Sequence, residues 1–162
     1  DVRPNSLFRY RLTGYKGLPV TLNDGTVVRT GDRILELHFD NRALARYTTS
    51  RRWPPWSALR LFSDDMDALA CRARAGEFAD IVALHGVSLY APESRWLGCE
   101  FRPLPHTWQW RLLHFYLVGL AAIYHPRGWR GADRLREQNW PGELWLSIAK
   151  LRQRREGGGH RG

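Results

Sequence analysis

Within the segment Ile34-Leu-Glu-Leu-His-Phe-Asp40, apolar and polar side chains alternate from Leu35 to Asp40. A period of two fits a β-strand and not a helix, because successive strand side chains point to opposite faces of a sheet. Leu35, Leu37 and Phe39 are therefore expected to line a buried face, and Glu36, His38 and Asp40 the other. Such a strand requires neighbours that pair its backbone and an apolar layer that covers its leucines.

Residues 7–12 alternate apolar and basic side chains, as a half-exposed strand does. Residues 19–22 and 26–29 flank Asn23-Asp-Gly25, whose last two residues tolerate positive φ, so this stretch reads as a hairpin. Gly31-Asp32 turns the chain into the opening strand, and Asn41 is placed to cap a short helix through Tyr47. Arg51-Arg-Trp-Pro-Pro-Trp56 reads as a stiff connector, since paired prolines exclude helix. Two helices are expected next, over 57–62 and 64–76, with Asp64, Asp65 and Asp67 at the start of the second. Residues 81–90 and 98–101 read as strands, and Thr107 as the cap of a long helix to Tyr124 that ends at His125-Pro126. Apolar residues surround nearly the whole of that helix, which predicts a place in the core or at an interface. A weaker helical piece over 130–137 and a strand over 143–146 follow, and then Ser147 caps a basic helix. The expected class is α+β: a small antiparallel or mixed sheet with an early hairpin, packed by one long apolar helix and several short ones. Residues 1–150 form the domain in this reading and 151–162 a basic, disordered tail.

A chain of 162 residues can bury a proper core as one domain. Its net charge of +9 suits an anionic partner, but residues 150–162 hold five basic side chains against Glu156 and so supply +4 of it. Lys150, Arg152, Arg154 and Arg155 are the candidates for contact with an anionic surface. Cys71 and Cys99 lack metal-ligand spacing and read as buried free thiols, which fits a reducing compartment. The start lacks an initiator Met and a signal-peptide pattern, so a trimmed N-terminus and a cytoplasmic location, peripheral at the inner membrane face, are expected. The longest apolar run, residues 112–124, is too short to span a bilayer.

Several blocks occur in order across residues 8–152: Asp24-Gly-Thr-Val-Val-Arg29, Gly31-Asp-Arg-Ile-Leu-Glu-Leu-His-Phe-Asp-Asn41, Leu84-His-Gly-Val-Ser-Leu89, Arg95-Trp-Leu-Gly-Cys-Glu-Phe101, His125-Pro126 and Glu143-Leu-Trp-Leu-Ser147. Together they resemble the YkoP-like domain, which occurs alone or fused C-terminal to polysaccharide deacetylase domains in spore-forming and related bacteria. The resemblance implies work on envelope or sporulation polysaccharide, and it implies no catalytic residue.

The residues themselves must supply the candidates. Glu36, His38 and Asp40 share a strand face, where a carboxylate could orient an imidazole as general base, or the face could simply meet solvent. His85, Cys99, Glu100 and His106 could join them through folding; Cys99 beside a histidine is the minimum for a thiol nucleophile. Trp53 and Trp56, on the proline spacer, are the candidates for stacking on a sugar, with Asn41 as a further ligand contact. Core packing is the alternative for the other tryptophans, Trp96, Trp108 and Trp145 among them. Residues 108–116 could also lie against a bilayer. No phosphate-binding glycine loop, dinucleotide fingerprint, zinc-protease motif, calcium loop or zinc finger is present, so neither cofactor nor metal is expected. The leading reading is a binding or accessory module for envelope polysaccharide. The alternatives are an enzyme using the Glu36, His38 and Asp40 face with His85 and Glu100, and a basic domain for nucleic acid or anionic lipid; no signature supports nucleic acid.

Overall fold

A computed structural model describes residues 2, 6–39, 56–88, 98–124 and 140–154. Its strands are β1 (Phe8–Gly14), β2 (Val20–Thr21), β3 (Val27–Val28), β4 (Arg33–Phe39), β5 (Ala83–Ser88), β6 (Glu100–Pro103) and β7 (Gly142–Ser147). Its helices are α1 (Trp56–Arg74), α2 (Trp108–Tyr124) and α3 (Ile148–Gln153). The class is α+β. Five strands make one mixed sheet in the order β1-β4-β5-β7-β6, and β2 and β3 make a separate two-stranded sheet.

The strand expected over residues 34–40 is β4. It pairs antiparallel with β1 and parallel with β5, and the parallel pairing needs the crossover that α1 supplies. β7 then enters antiparallel between β5 and β6. Leu35 and Leu37 are buried as periodicity predicts; the Phe39 side chain and all of Asp40 lie outside the described residues. The leucine face carries the main core. Against it α1 lays Phe62, Met66, Leu69, Ala70 and Ala73, a stripe at helical spacing, and α3 adds Ile148 and Leu151.

The short hairpin forms where expected, with Val20 opposite Val28 and Gly25 at φ 84°, a conformation that a side-chain-bearing residue adopts only with strain. It folds onto the second face of the large sheet. Leu22 and Val28 meet Ile34, Ala83 and Trp145 there, so the face that carries Glu36 and His38 is half covered, and is neither a plain solvent face nor an enclosed pocket.

Four expectations need correction. The helices expected over 57–62 and 64–76 are one continuous α1, because the acidic cluster is held by tertiary partners instead of capping a new start. Buried Asp65 accepts the Leu7 N–H at 2.7 Å, and Asp67 takes Arg154 Nε–H at 2.6 Å. The long helix α2 forms, but among the described residues none of its side chains joins the core on the sheet. Trp108, Leu112, Phe115, Tyr116 and Ile123 on it are 60–74% exposed, and its buried Val118 and Ala122 form a separate small cluster. The seat against the leucine face is already filled by α1 and α3, and a helix apolar all round gives no signal of which side meets water. Cys71 is exposed, and only Cys99 is buried. Arg152 and Arg154 are not loose: Arg152 donates to Ala73 O, Arg154 binds Asp67 and Ser63, and Leu151 is 0% exposed.

The capping role of Ser147 holds, since its Oγ accepts the Lys150 N–H at 2.9 Å. The short helix expected after Asn41, the connector at 51–55, the 130–137 piece and residues 155–162 lie outside the described residues.

Candidate functional site

Register across the large sheet fixes which side chains share the second face. Arg11 lies opposite Glu36, Glu36 opposite His85, His85 opposite Trp145, and Trp145 opposite Glu100. Directly paired residues point to the same side of a sheet, so one row of polar and aromatic groups crosses all five strands. A second row runs beside it, with Arg9 opposite His38 at one edge and Val87 opposite Glu143 opposite Arg102 at the other.

Strand alternation thus unites Glu36, His38, His85 and Glu100, which the sequence offered from three separate segments. Glu36 Oε2 stands 3.0 Å from Arg11 Nη2 and 3.4 Å from His38 Nε2, so His38, though 55% exposed, has a polar neighbour. At the other end, buried Glu100 accepts the Asn23 N–H at 2.6 Å and lies 3.6 Å from Arg102. Arg102 in turn donates to Thr21 O, tying β6 to the hairpin. An open depression of about 310 Å³ lined by Asn23, Cys99, Glu100, Phe101 and Arg102 lies at this edge.

The middle of the row is the most enclosed. The His85 ring lies 4.2 Å from the Trp145 indole, and Tyr15 meets the same indole edge-on at 5.5 Å. His85 Nε2 is shut off from water and stands 3.4 Å from Glu143 Oε1, without the alignment of a hydrogen bond to any described residue. Glu143 Oε2 accepts the Trp145 Nε1–H at 3.1 Å. The neighbouring His85 holds the Glu143 carboxyl below its ordinary range against the opposing effect of burial, helped by the indole N–H and the Arg102 charge. The phenol of Tyr15 is pushed up, by burial first and then by the Glu143 carboxylate.

Glu143 is the site residue that sequence reasoning passed over. The signal was present, because β7 alternates Glu143, Trp145 and Ser147 with Leu144 and Leu146, the same two-face pattern as β4. His106 does not join the site; it stacks 4.0 Å from Trp140, whose Nε1–H donates to Leu104 O. Burial pushes the Cys99 thiol up to about 11, where the thiolate is scarce near neutrality. Trp145 is core, as one reading had it, whereas Trp108 is exposed. Asp40, Asn41 and Trp53 lie outside the described residues, and of Trp56 only the backbone, at the start of α1, is described.

Several charges are paired within the described part of the protein. Arg11, Arg33, Arg72 and Arg154 pair with Glu36, Asp80, Glu77 and Asp67. Among the described residues no group of three or more potential metal ligands converges, and no helix is long and apolar enough to cross a membrane.

Comparison with known proteins matches these elements to one family. The YkoP domain model covers residues 1–155. A relative from Bacillus subtilis (strain 168), named "Uncharacterized protein YkoP", is 49% identical over 46 residues, which is 28% of this chain and 25% of that protein. No solved structure matches. A match that runs from the first residue through α3 takes in the whole sheet and its polar rows, and the chain belongs to the YkoP domain family.

Proposed function

We propose that this domain is a binding or accessory module for a hydroxyl-rich polymer, bacterial envelope or sporulation polysaccharide, which it seats along the polar face of the sheet. The observation that supports the reading is the double row itself, open along Glu36 and His38, covered by the hairpin over Trp145, and open again in the depression at the β6 edge. Its carboxylates are ion-paired and accept hydrogen bonds, so they suit contact with hydroxyl protons, while Arg11, His38 and Arg102 suit donation to ring and hydroxyl oxygens. On sequence grounds Asp40 and Asn41 extend the polar contacts, and Trp53 and Trp56 supply the stacking platform. The same reading places the domain in the cytoplasm, peripheral to the inner membrane, where an exposed free Cys71 is compatible with a reducing compartment.

Retention on immobilised cell-wall glycan tests it. The wild type is expected to be retained, and Glu36→Gln with His38→Ala, or Trp53→Ala with Trp56→Ala, to pass through. If the glycan fails to retain the wild type, or retains the variants equally, the proposal is wrong.

His85 and Glu143 favour a second reading, an enzyme. An enclosed imidazole nitrogen facing a carboxylate at 3.4 Å is a starting arrangement for general-base work once a substrate draws the pair together, with Glu36, His38, Asp40 and Glu100 around it. His85→Gln separates the two readings. An enzyme loses turnover of cell-wall fragments while retention persists; a binding module shows no turnover to lose.

A further inference from the structure

We propose that the exposed apolar face of α2 is the contact for a second copy of this chain, the two α2 helices crossing antiparallel near Phe115 and Tyr116. Leu112 follows Trp108 by four residues, Phe115 and Tyr116 follow Leu112 by three and four, and Ile123 follows Tyr116 by seven, so the five share a single helical stripe. Each is 60–74% exposed, while Val118 and Ala122, along one flank of the stripe, are buried. Side chains of this size leave on the order of 600 Å² of contiguous apolar surface, at the upper limit for a monomer. A standard interface buries about 800 Å² on each partner, so the stripe supplies most of one side of a dimer. Gly119 lies on the stripe between Tyr116 and Ile123 and lets a second helix come close.

The chemistry of the helix favours a second copy over a bilayer. An interfacial helix combines its apolar face with several basic residues that hold anionic headgroups, and α2 carries one charged residue, Arg111. Arg111 also sets the orientation. A parallel pair would bring the two guanidinium groups together, whereas an antiparallel pair centred on Phe115 and Tyr116 keeps them about 13 Å apart along the axis. A two-fold pairing of this kind is self-complementary and closes on itself. It also leaves the polar sheet face, which the ligand reading uses, to be tested separately.

Sedimentation equilibrium over a micromolar concentration series gives the test. The chain is expected to approach twice its 18.8 kDa mass, and Leu112→Asp with Phe115→Asp to remain at the single mass with unchanged circular dichroism. In a Cys71→Ser background, oxidation is expected to link Tyr116→Cys to itself. Trp108→Cys is expected to link only when mixed with Ile123→Cys. A wild type that stays monomeric overturns the proposal, and if that monomer floats with anionic vesicles the stripe is a membrane contact instead. A dimer that survives Leu112→Asp with Phe115→Asp, or that links Trp108→Cys to itself, also overturns it.

Discussion

Trp145 joins the two sheets to the polar site, so Trp145→Phe is the most informative single perturbation. The indole is 0% exposed, packs with Leu22, Val28, Ile34 and Ala83, and donates to Glu143 at 3.1 Å. Phenylalanine keeps most of the apolar contact but removes the N–H and part of the ring. A hydrogen bond to a charged acceptor is worth about 1.5–3 kcal/mol, and because partly exposed Glu143 can recover water the lower end applies. The unfilled ring volume adds about 1 kcal/mol, by analogy with other large-to-small core changes. Together the loss is about 2–3 kcal/mol, or about 5–10 °C in Tm for a chain of this size. Urea and thermal unfolding followed by circular dichroism would measure it, with Leu18→Ala, at an 84% exposed position, as a control expected within about 0.5 kcal/mol of wild type. A Trp145→Phe protein within about 0.5 kcal/mol of wild type would refute the placement of this indole between hairpin and sheet.

Leu151→Ala, at a fully buried α3 position, should cost about 2–4 kcal/mol in urea unfolding; a neutral result would detach α3 from the core. Ser147→Ala should cost about 1–2 kcal/mol near neutral pH through loss of the α3 cap and of the hydrogen bond to Asp24. Burial raises the Asp24 carboxyl, but hydrogen bonds from Ser147 and Thr26 and the Lys150 charge outweigh it, leaving it below 3.8. A depressed folded pKa gives stability that is fully present above the unfolded value and lost as pH falls through the folded one. The gap between wild type and Ser147→Ala should therefore narrow below pH 3.8 toward the cap contribution alone, as urea midpoints across pH would show. Thiol titration of the native protein near pH 8 should label Cys71 quickly and Cys99 only after denaturant is added; rapid labelling of both would contradict the burial of Cys99.

Features encoded locally were legible in the sequence. Leu35 and Leu37 against Glu36 and His38, the turn at Gly25 and the cap at Ser147 each follow from period, φ or one hydrogen bond. What depends on distant partners was not. Asp65 looked like a helix start because its acceptor role toward Leu7, 58 residues away, has no local trace. α2 reads as a helix for the core or an interface, and its composition cannot report that α1 and α3 already occupy the sheet. Glu36, His38, His85 and Glu100 were readable as polar strand positions, but their alignment needed the strand order β1-β4-β5-β7-β6. Glu143 was missed although its own strand alternates, because β7 was read only as a strand and its faces were not assigned.

If the polar sheet face receives a ligand, its backbone amides must respond. Amide chemical shifts of the isotope-labelled chain, followed during titration with solubilised cell-wall glycan, test it most directly. The account predicts saturable shifts centred on Glu36, His38, His85 and Glu143, with α2 unaffected. No shift at any glycan concentration, or shifts confined to α2, would contradict it.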